Sequence, residues 1–280
     1  MFYLLKCFIQ MKILLNNNDL NEALNNVSGL GFVPTMGSFH KGHISLIKRS
    51  KKECNKTIVS IFVNPNQFNN KKDFEKYPRN IKKDLSILKN LKVNFVYLPN
   101  KRDVYHAKRS SKIKLNKRDQ ILCAKFRKGH FEGVIDVMDR LTNLIKPSKV
   151  FMGEKDMQQL YLVKNYIKKR YKSKIISCQT IRDKKRFALS SRNLLLNSKQ
   201  IKKARNLTNH IFDFKKRLKN KKNIFELIKK KKNDLNKISG VKVEYLELRN
   251  VKNLKISSKI QNSKIFIAYF INKVRLIDNI

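Results

Sequence analysis

Five short apolar runs, GFVPT (31–35), TIVSIFV (57–63), VNFVYLP (93–99), KVFMG (149–153) and KIISCQTI (174–181), recur between stretches of helical period. This alternation constrains the fold more than any other property of the chain. A strand whose residues are apolar on both faces must be buried on both. Such strands, separated by helices, make a parallel sheet covered on each side. The helical periods are explicit. One starts at about His43 in ISLIKRS and a charged one covers 80–91. A third, over 131–146, has Val134, Val137, Met138, Leu141, Leu144 and Ile145 in phase, and a fourth covers 156–169. The expected class is α/β, with a doubly wound parallel sheet over 1–181.

From about 182 the pattern changes. Ile201, Ala204, Leu207, Thr208, Ile211 and Leu218 fit one helix; Ile224, Leu227, Ile228, Leu235 and Ile238 fit a second, with a turn expected over 220–223. Two β-like segments, 241–251 and 263–279, follow. Residues 182–280 therefore read as a smaller α+β lid domain. At the other end, MFYLLKCFIQMKILL is apolar, but Lys6 interrupts it and no small-residue cleavage site follows. It reads as an extension feeding a first strand, with Met11 a second candidate start. No run is long enough to span a bilayer.

In open parallel sheets ligands bind beyond the carboxyl ends of the strands, and four motifs lie there. After GFVPT comes MGSFHKGH, which ends at His43. Two histidines at a helix N-terminus can donate hydrogen bonds to charge developing on a phosphate, and the dipole of the helix favours anions. Gly42 between them is expected to let a nucleotide approach the backbone. A metal pair is the competing reading of H-x-x-H, but no Glu or Cys lies near enough to complete a zinc shell. After TIVSIFV comes Asn64-Pro65-Asn66-Gln67-Phe68, whose Gln67 amide can both donate and accept. After KVFMG comes Gly153-Glu154-Lys155-Asp156, with Lys155 a phosphate-seeking cation. Asp156 is placed to cap a helix or to hold a ribose hydroxyl or magnesium, and Gln158 or Gln159 faces inward. After KIISCQTI comes Leu189-Ser190-Ser191-Arg192, two hydroxyls and a guanidinium suited to a triphosphate. Of only eight glycines, Gly37, Gly42 and Gly153 fall in these segments, and Gly129 and Gly133 flank the start of the helical period over 131–146.

A net charge of +45 is ordinarily the footprint of a nucleic-acid binder. Here the excess is spread along the chain and is densest in 199–237, with fifteen Lys and Arg against three Asp and Glu. Those lysines occupy the polar faces of helices whose apolar positions are intact, and no aromatic-interleaved RNA platform appears. The charge reads as compositional bias, with weak adventitious binding to polyanions and no specific nucleic-acid partner. The four cysteines, Cys7, Cys54, Cys123 and Cys178, are scattered without a C-x-x-C, which fits a reducing, cytoplasmic setting.

His40-Lys41-Gly42-His43 resembles the HIGH-type signature of adenylate-forming nucleotidyltransferases, whose sheets are Rossmann-like. VPTMGSFHKGH, SIFVNPNQF, FMGEKDMQQL and ALSSRN together resemble the blocks of the pantoate–β-alanine ligase family. RKGHFEGV (127–134), Tyr77-Pro78-Arg79 and the terminal RLIDN match as well. The resemblance runs from about Met11 to Asn279. It implies ATP-dependent joining of pantoate to β-alanine through a pantoyl adenylate, with release of pyrophosphate and then AMP. Carried over by position, it implies that His43 and His40 are catalytic. Met36, Gly37, Ser38, Phe39, His40, Lys41, Gly42 and His43 would line the ATP site. Gly153, Glu154, Lys155 and Asp156 would meet ribose and phosphates, Ile181 the adenine, and Leu189, Ser190, Ser191 and Arg192 the phosphates. Gln67 and Gln159 would hold pantoate, and Gln67 also β-alanine. The resemblance further implies Mg2+ carried by ATP rather than by a fixed protein site, and a homodimer.

Two departures stand out. The loop before ALSSRN, where the family carries Asp-Gly, reads Arg182-Asp183-Lys184-Lys185-Arg186-Phe187, which is expected to stiffen or re-pitch it. Lys41 replaces a small or acidic residue. Three other readings are weighed against the ligase. An adenylyltransferase acting on a phosphorylated co-substrate would call for Arg or Lys in place of Gln67 and Gln159. An RNA binder on a synthetase-like fold would bind RNA with a steep salt dependence. A decayed enzyme would fold with little turnover.

Overall fold

A computed structural model describes residues 11–106, 113–219 and 221–280. The opening segment 1–10 with Cys7 and the Met1 start, residues 107–112 of the basic connection, and Asn220 of the expected turn lie outside the described residues.

Nine strands and ten helices follow one another among the described residues. The strands are β1 (Lys12–Leu14), β2 (Leu30–Thr35), β3 (Lys56–Ile61), β4 (Phe95–Tyr97), β5 (Lys149–Gly153), β6 (Lys174–Cys178), β7 (Val241–Asn250), β8 (Ser263–Ile271) and β9 (Val274–Asn279). The helices are α1 (Asn17–Leu24), α2 (Lys41–Glu53), α3 (Lys71–Glu75), α4 (Ile81–Asn90), α5 (Lys101–Tyr105), α6 (Cys123–Phe126), α7 (His130–Ile145), α8 (Met157–Arg170), α9 (Ser198–Arg217) and α10 (Ile224–Asn236). The first six strands form one parallel sheet in the order β1-β4-β3-β2-β5-β6. The winding direction reverses between β2 and β5, and that is where a ligand crevice opens in a doubly wound sheet.

The reason these strands are apolar throughout is visible in their packing. Phe32, Ile58, Phe95 and Val150 point into a core shared with α1, α7 and α8. Their neighbours Val33, Val59, Val96 and Phe151 point into a second core under α2 and α4. Successive side chains alternate faces along a strand, so both sets must be apolar.

The antiparallel sheet β7-β8-β9 is likewise covered on both faces. Leu246, Ile265, Ile267 and Tyr269 pack with α9 and α10, whereas Tyr245, Phe266 and Ala268 join the core of the larger sheet. The segment 263–279, expected as one β-like run, is a hairpin. Asn272, at φ +51°, takes the left-handed conformation that a tight turn needs and that Asn tolerates. Helices α1, α3, α5 and α6 were not anticipated; three of the four are five residues or shorter, too short for a hydrophobic period to register.

No helix among the described residues is long and apolar enough to cross a membrane. Cys54, Cys123 and Cys178 are free thiols.

Candidate active site

The cleft opens at the reversal between β2 and β5. The chain leaves β2 through a tight turn. The Thr35 hydroxyl donates to the Ser60 carbonyl at 2.7 Å and accepts from the Gly37 N–H at 3.2 Å. Gly37 and Ser38 have φ of +80° and +55°. The Asp84 carboxylate, on α4 and 2% exposed, accepts from the N–H groups of Ser38 and Phe39 at 2.7 and 2.8 Å. A Cβ on Gly37 would lie 2.8 Å from Asp84 Oδ2, so this turn needs glycine on two counts. Asp84 was not singled out in the sequence. The available signal was its place four residues before buried Leu88, an acid on the apolar face of a lysine-rich helix.

Helix α2 begins at Lys41, two residues before the expected start, because His40 caps it. His40 Nδ1 accepts from the Gly42 N–H at 3.0 Å. The proton of the neutral ring is therefore on Nε2, which is left as a donor. A Cβ on Gly42 would sit 2.6 Å from His40 Cε1 and 2.8 Å from Nδ1. The missing side chain of Gly42 therefore makes room for the His40 imidazole, and the capping bond occupies one of the N–H groups at the start of α2. The His43 ring lies 4.2 Å from that of His40 and edge-on to Phe39 at 5.3 Å. Buried His43 Nδ1 has no hydrogen-bond partner. Loss of water, with Lys155 adding its positive charge, lowers the His40 pKa from 6.5 to about 4. Loss of water, then His40 and Lys155, lowers that of His43 to about 3. Both rings are neutral near pH 7.

The opposite wall is the NPNQF loop. Buried Asn64 donates to the Gly133 carbonyl at 3.1 Å and accepts from the Tyr105 hydroxyl at 2.9 Å and the Asn66 N–H at 3.2 Å. The start of α7 comes so close that a Cβ on Gly133 would run into the Asn66 carbonyl. Gln67 Nε2 donates to Met36 Sδ at 2.8 Å. His130 Nδ1 is 2.6 Å from the Gln67 carbonyl, and Arg127 donates to His130 Nε2 at 2.8 Å. An arginine only donates, so the His130 proton is on Nδ1 and the Gln67 carbonyl accepts it. Burial, then the Arg127 charge, lowers the His130 pKa to about 3.

These three histidines make stability pH-dependent. The unfolded chain takes up protons near 6.5, whereas the folded sites do so only at about 4 or 3. Their contribution is complete above 6.5 and is lost as pH falls toward those lower values. The thermal midpoint is expected to fall steadily from pH 7 to pH 4. A flat profile by circular dichroism would show that the rings charge freely within the fold.

At the end of β5 a single 3₁₀ turn, Glu154–Asp156, leads into α8. Asn279, on β9, donates to the carbonyls of Glu154 and Lys155, both at 2.8 Å. Asp156 occupies the cap position without capping through its side chain; its carboxylate is 3.6 Å from Lys155 Nζ. Of the two glutamines, Gln159 lines the cleft. Gln158 turns away and donates to the carbonyls of Asp119 and Ile121.

The fourth motif closes the cleft. Ser191 donates to the Ser38 carbonyl at 3.0 Å, which joins the two loops. Arg192 pairs with Asp73 at 2.8 Å and donates to the Arg275 carbonyl at 3.4 Å. The Ile181 carbonyl accepts from the Leu189 N–H at 3.0 Å. The loop between them is held by two ion pairs. Arg182 grips Asp278 through two bonds of 2.7 and 2.8 Å, and Arg205 meets Asp183 at 2.7 Å. Arg186 has φ +66°, a conformation costing a residue with a side chain about 1–2 kcal/mol. Its pair with Asp213 is 3.7 Å long and exposed, worth little. Arg186→Gly is therefore expected to raise stability by about 1 kcal/mol, read as a higher urea midpoint. A lower midpoint would mean that the exposed pair and the contact of the guanidinium with the Phe212 ring outweigh the strain.

Met36, His40, Gly42, His43, Gln67, Gly153, Lys155, Asp156, Gln159, Ile181, Leu189, Ser190, Ser191 and Arg192 all line one cleft. Gly37, Ser38, Phe39, Lys41 and Glu154 do not. Ser38 and Phe39 are tied to Asp84, the Lys41 side chain is exposed, and Glu154 faces Lys264 at 3.4 Å. Asn64, Thr180 and Arg275 also line the cleft and were not given roles. The Thr180 hydroxyl is buried without a partner. Asp156 is the only acidic side chain lining the cleft among the described residues, and no cluster of three or more His, Cys, Asp and Glu that could hold a metal occurs among them.

Comparison with known proteins follows the same outline. The model of the pantoate–β-alanine ligase family matches residues 12–280. A pantothenate synthetase of Campylobacter hominis is 40% identical over 275 residues, covering 96% of this chain and 99% of that protein. One of Thermosipho africanus is 35% identical over 260 residues, covering 92% and 94%. The crystal structure of the Thermus thermophilus pantothenate synthetase superposes with a TM-score of 0.89 at 28% identity, over 96% of this chain and 99% of that one. That of the Francisella tularensis pantoate–β-alanine ligase, complexed with β-γ ATP and β-alanine, gives 0.81 at 37% identity, over 97% of both.

Proposed function

Because the chain belongs to the pantoate–β-alanine ligase family, ATP-dependent ligation of pantoate to β-alanine is its activity, and we propose that the cleft carries it out in two steps. The pantoate carboxylate attacks the α-phosphorus of ATP, a P–O bond forms, and pyrophosphate leaves. The neutral amine of β-alanine then attacks the acyl carbon of pantoyl adenylate; AMP leaves and the amine proton passes to water. No covalent enzyme intermediate is required, since orientation and fixed dipoles supply the rate.

The observation that carries this reading is the pair of neutral, closely spaced imidazoles that share one cleft with two glutamines. His40 Nε2–H donates to the charge that builds up as phosphorus becomes five-coordinate. The ring of His43, with a nitrogen that lacks any protein partner, meets the same phosphate. Lys155, Ser190, Ser191 and Arg192 hold the remaining phosphate oxygens. Adenine lies by Ile181, where the carbonyl keeps one lone pair beside its bond to Leu189, and Thr180 offers an unpaired hydroxyl. Gln67 and Gln159 hold pantoate, and Gln67 is also within reach of β-alanine. Mg2+ would travel on the triphosphate and offset its charge, with Asp156 the carboxylate available to it. The ATP analogue and β-alanine bound to the Francisella relative support the substrate assignment. Residues 1–181 bind ATP and pantoate, residues 182–280 act as the lid, and the enzyme works as a cytoplasmic homodimer.

Pyrophosphate release from Mg-ATP, with pantoate and β-alanine added singly and together, tests the scheme. Release should require pantoate, and AMP and pantothenate should accumulate once β-alanine is present. Release independent of pantoate would overturn it. Gln159→Ala is expected to raise KM for pantoate by roughly tenfold with a smaller change in kcat; an unchanged KM would remove Gln159 from the pantoate site.

A further inference from the structure

Three guanidiniums, those of Arg127, Arg192 and Arg275, line the cleft together. Two of them already have a carboxylate partner. Arg192 pairs with Asp73 at 2.8 Å, and Arg275 pairs with Glu244 at 2.5 Å. Arg127 has no carboxylate partner among the described residues. Its hydrogen bonds go to neutral acceptors, His130 Nε2 at 2.8 Å and the Gln67 carbonyl at 3.5 Å. Loss of water, together with the Arg192 and Arg275 charges, lowers its pKa to about 10. A guanidinium held in a cleft among other cations is costly unless a ligand brings the missing anion.

Resting on the ligase reading above, we propose that Arg127 binds the carboxylate of β-alanine and thereby selects an amine substrate that ends in an acid.

Chemistry separates this anion from the other two that enter the cleft. The triphosphate has its own cations and hydroxyls in Lys155, Arg192, Ser190 and Ser191. The pantoate carboxylate must attack phosphorus, and a guanidinium clamped on it would hold back the lone pair it needs. The carboxylate of β-alanine takes no part in either step and survives in the product. It is the one anion that benefits from a permanent partner, and an arginine can grip it through two parallel bonds.

The guanidinium is pre-aimed. Arg127 donates to His130 Nε2 and His130 Nδ1 donates to the Gln67 carbonyl, so a single neutral imidazole joins the β-alanine cation to the pantoate loop. Positive charge at this spot also favours the unprotonated amine, the form that attacks.

The test compares β-alanine with its uncharged amide, 3-aminopropanamide, as the attacking amine. The unaltered enzyme should prefer β-alanine by roughly 10- to 100-fold in kcat/KM. Arg127→Met should bring that preference to within about threefold by raising KM for β-alanine alone, with KM for pantoate little changed. Arg127→Gln, which keeps a donor toward His130, carries the same comparison if the methionine variant folds poorly. A preference that is unmoved in both variants, while pyrophosphate release still depends on pantoate, overturns the role of Arg127 alone. A rise in KM for pantoate instead of β-alanine moves Arg127 to the other substrate and also overturns it. Release without pantoate dependence in the unaltered enzyme overturns the ligase reading and this assignment with it.

Discussion

His43→Ala is expected to lower pantoate-dependent pyrophosphate release by roughly 10²–10³-fold, the usual loss when one preorganised donor to a developing charge is removed. The fold should survive. His43 Nδ1 has no partner inside the protein, and the ring touches only Phe39 and His40 among aromatic neighbours, so its removal strands no buried polar group. The readouts are single-turnover pyrophosphate release and a thermal melt on the same sample. His43→Asn, which restores a donor on a shorter side chain, should recover part of the rate. Turnover of the alanine variant within about threefold of the unaltered enzyme would take His43 out of the chemistry.

Asp84→Ala should act in the opposite way, through stability first. The carboxylate is almost fully buried and accepts two backbone N–H groups at 2.7 and 2.8 Å. Its loss leaves both donors buried without partners, at about 1–3 kcal/mol each, so roughly 3–5 kcal/mol of folding stability should go. Because those N–H groups belong to Ser38 and Phe39, the residues that deliver the chain to His40, turnover should fall as well. Urea unfolding checks the first effect: the midpoint should drop with its slope unchanged. An unaltered midpoint and rate together would mean that the turn holds itself, through Thr35 and Gly37 alone.

Asp84 also marks the boundary of what could be read from the chain. The parallel sheet was legible because each strand needs apolar residues on both faces, as Phe32 with Val33 and Val150 with Phe151 illustrate. The four motifs were legible because doubly wound sheets deliver their loops to one edge. What escaped were groups acting at a distance in sequence. Asp84 supports a turn 45 residues away, and nothing local distinguishes it from a surface acid. His40 carries a clear motif, yet its capping bond to Gly42 and the proton position that follows depend on the rotamer. The choice between Gln158 and Gln159 hung on the orientation of α8, which the segment Asp119–Ile121 settles by accepting bonds from Gln158. The 263–279 segment looked like one strand because β-forming residues run through both arms of the hairpin, and only Asn272-Lys273 marks the turn between them.

The grip of β9 on the cleft has a kinetic consequence. Asn279 holds the Glu154 carbonyl across 125 residues of chain, and Asp278 holds Arg182 across 96. Contacts of such long range must overcome a large loop-closure entropy and tend to form late. During synthesis the parallel sheet, with His40, His43 and Gln67 already encoded, leaves the ribosome before the segment that pins the Glu154–Asp156 turn. The chain thus passes through a stage that has its sheet but lacks one fixed wall of the cleft, and that wall is set only when the far strand docks.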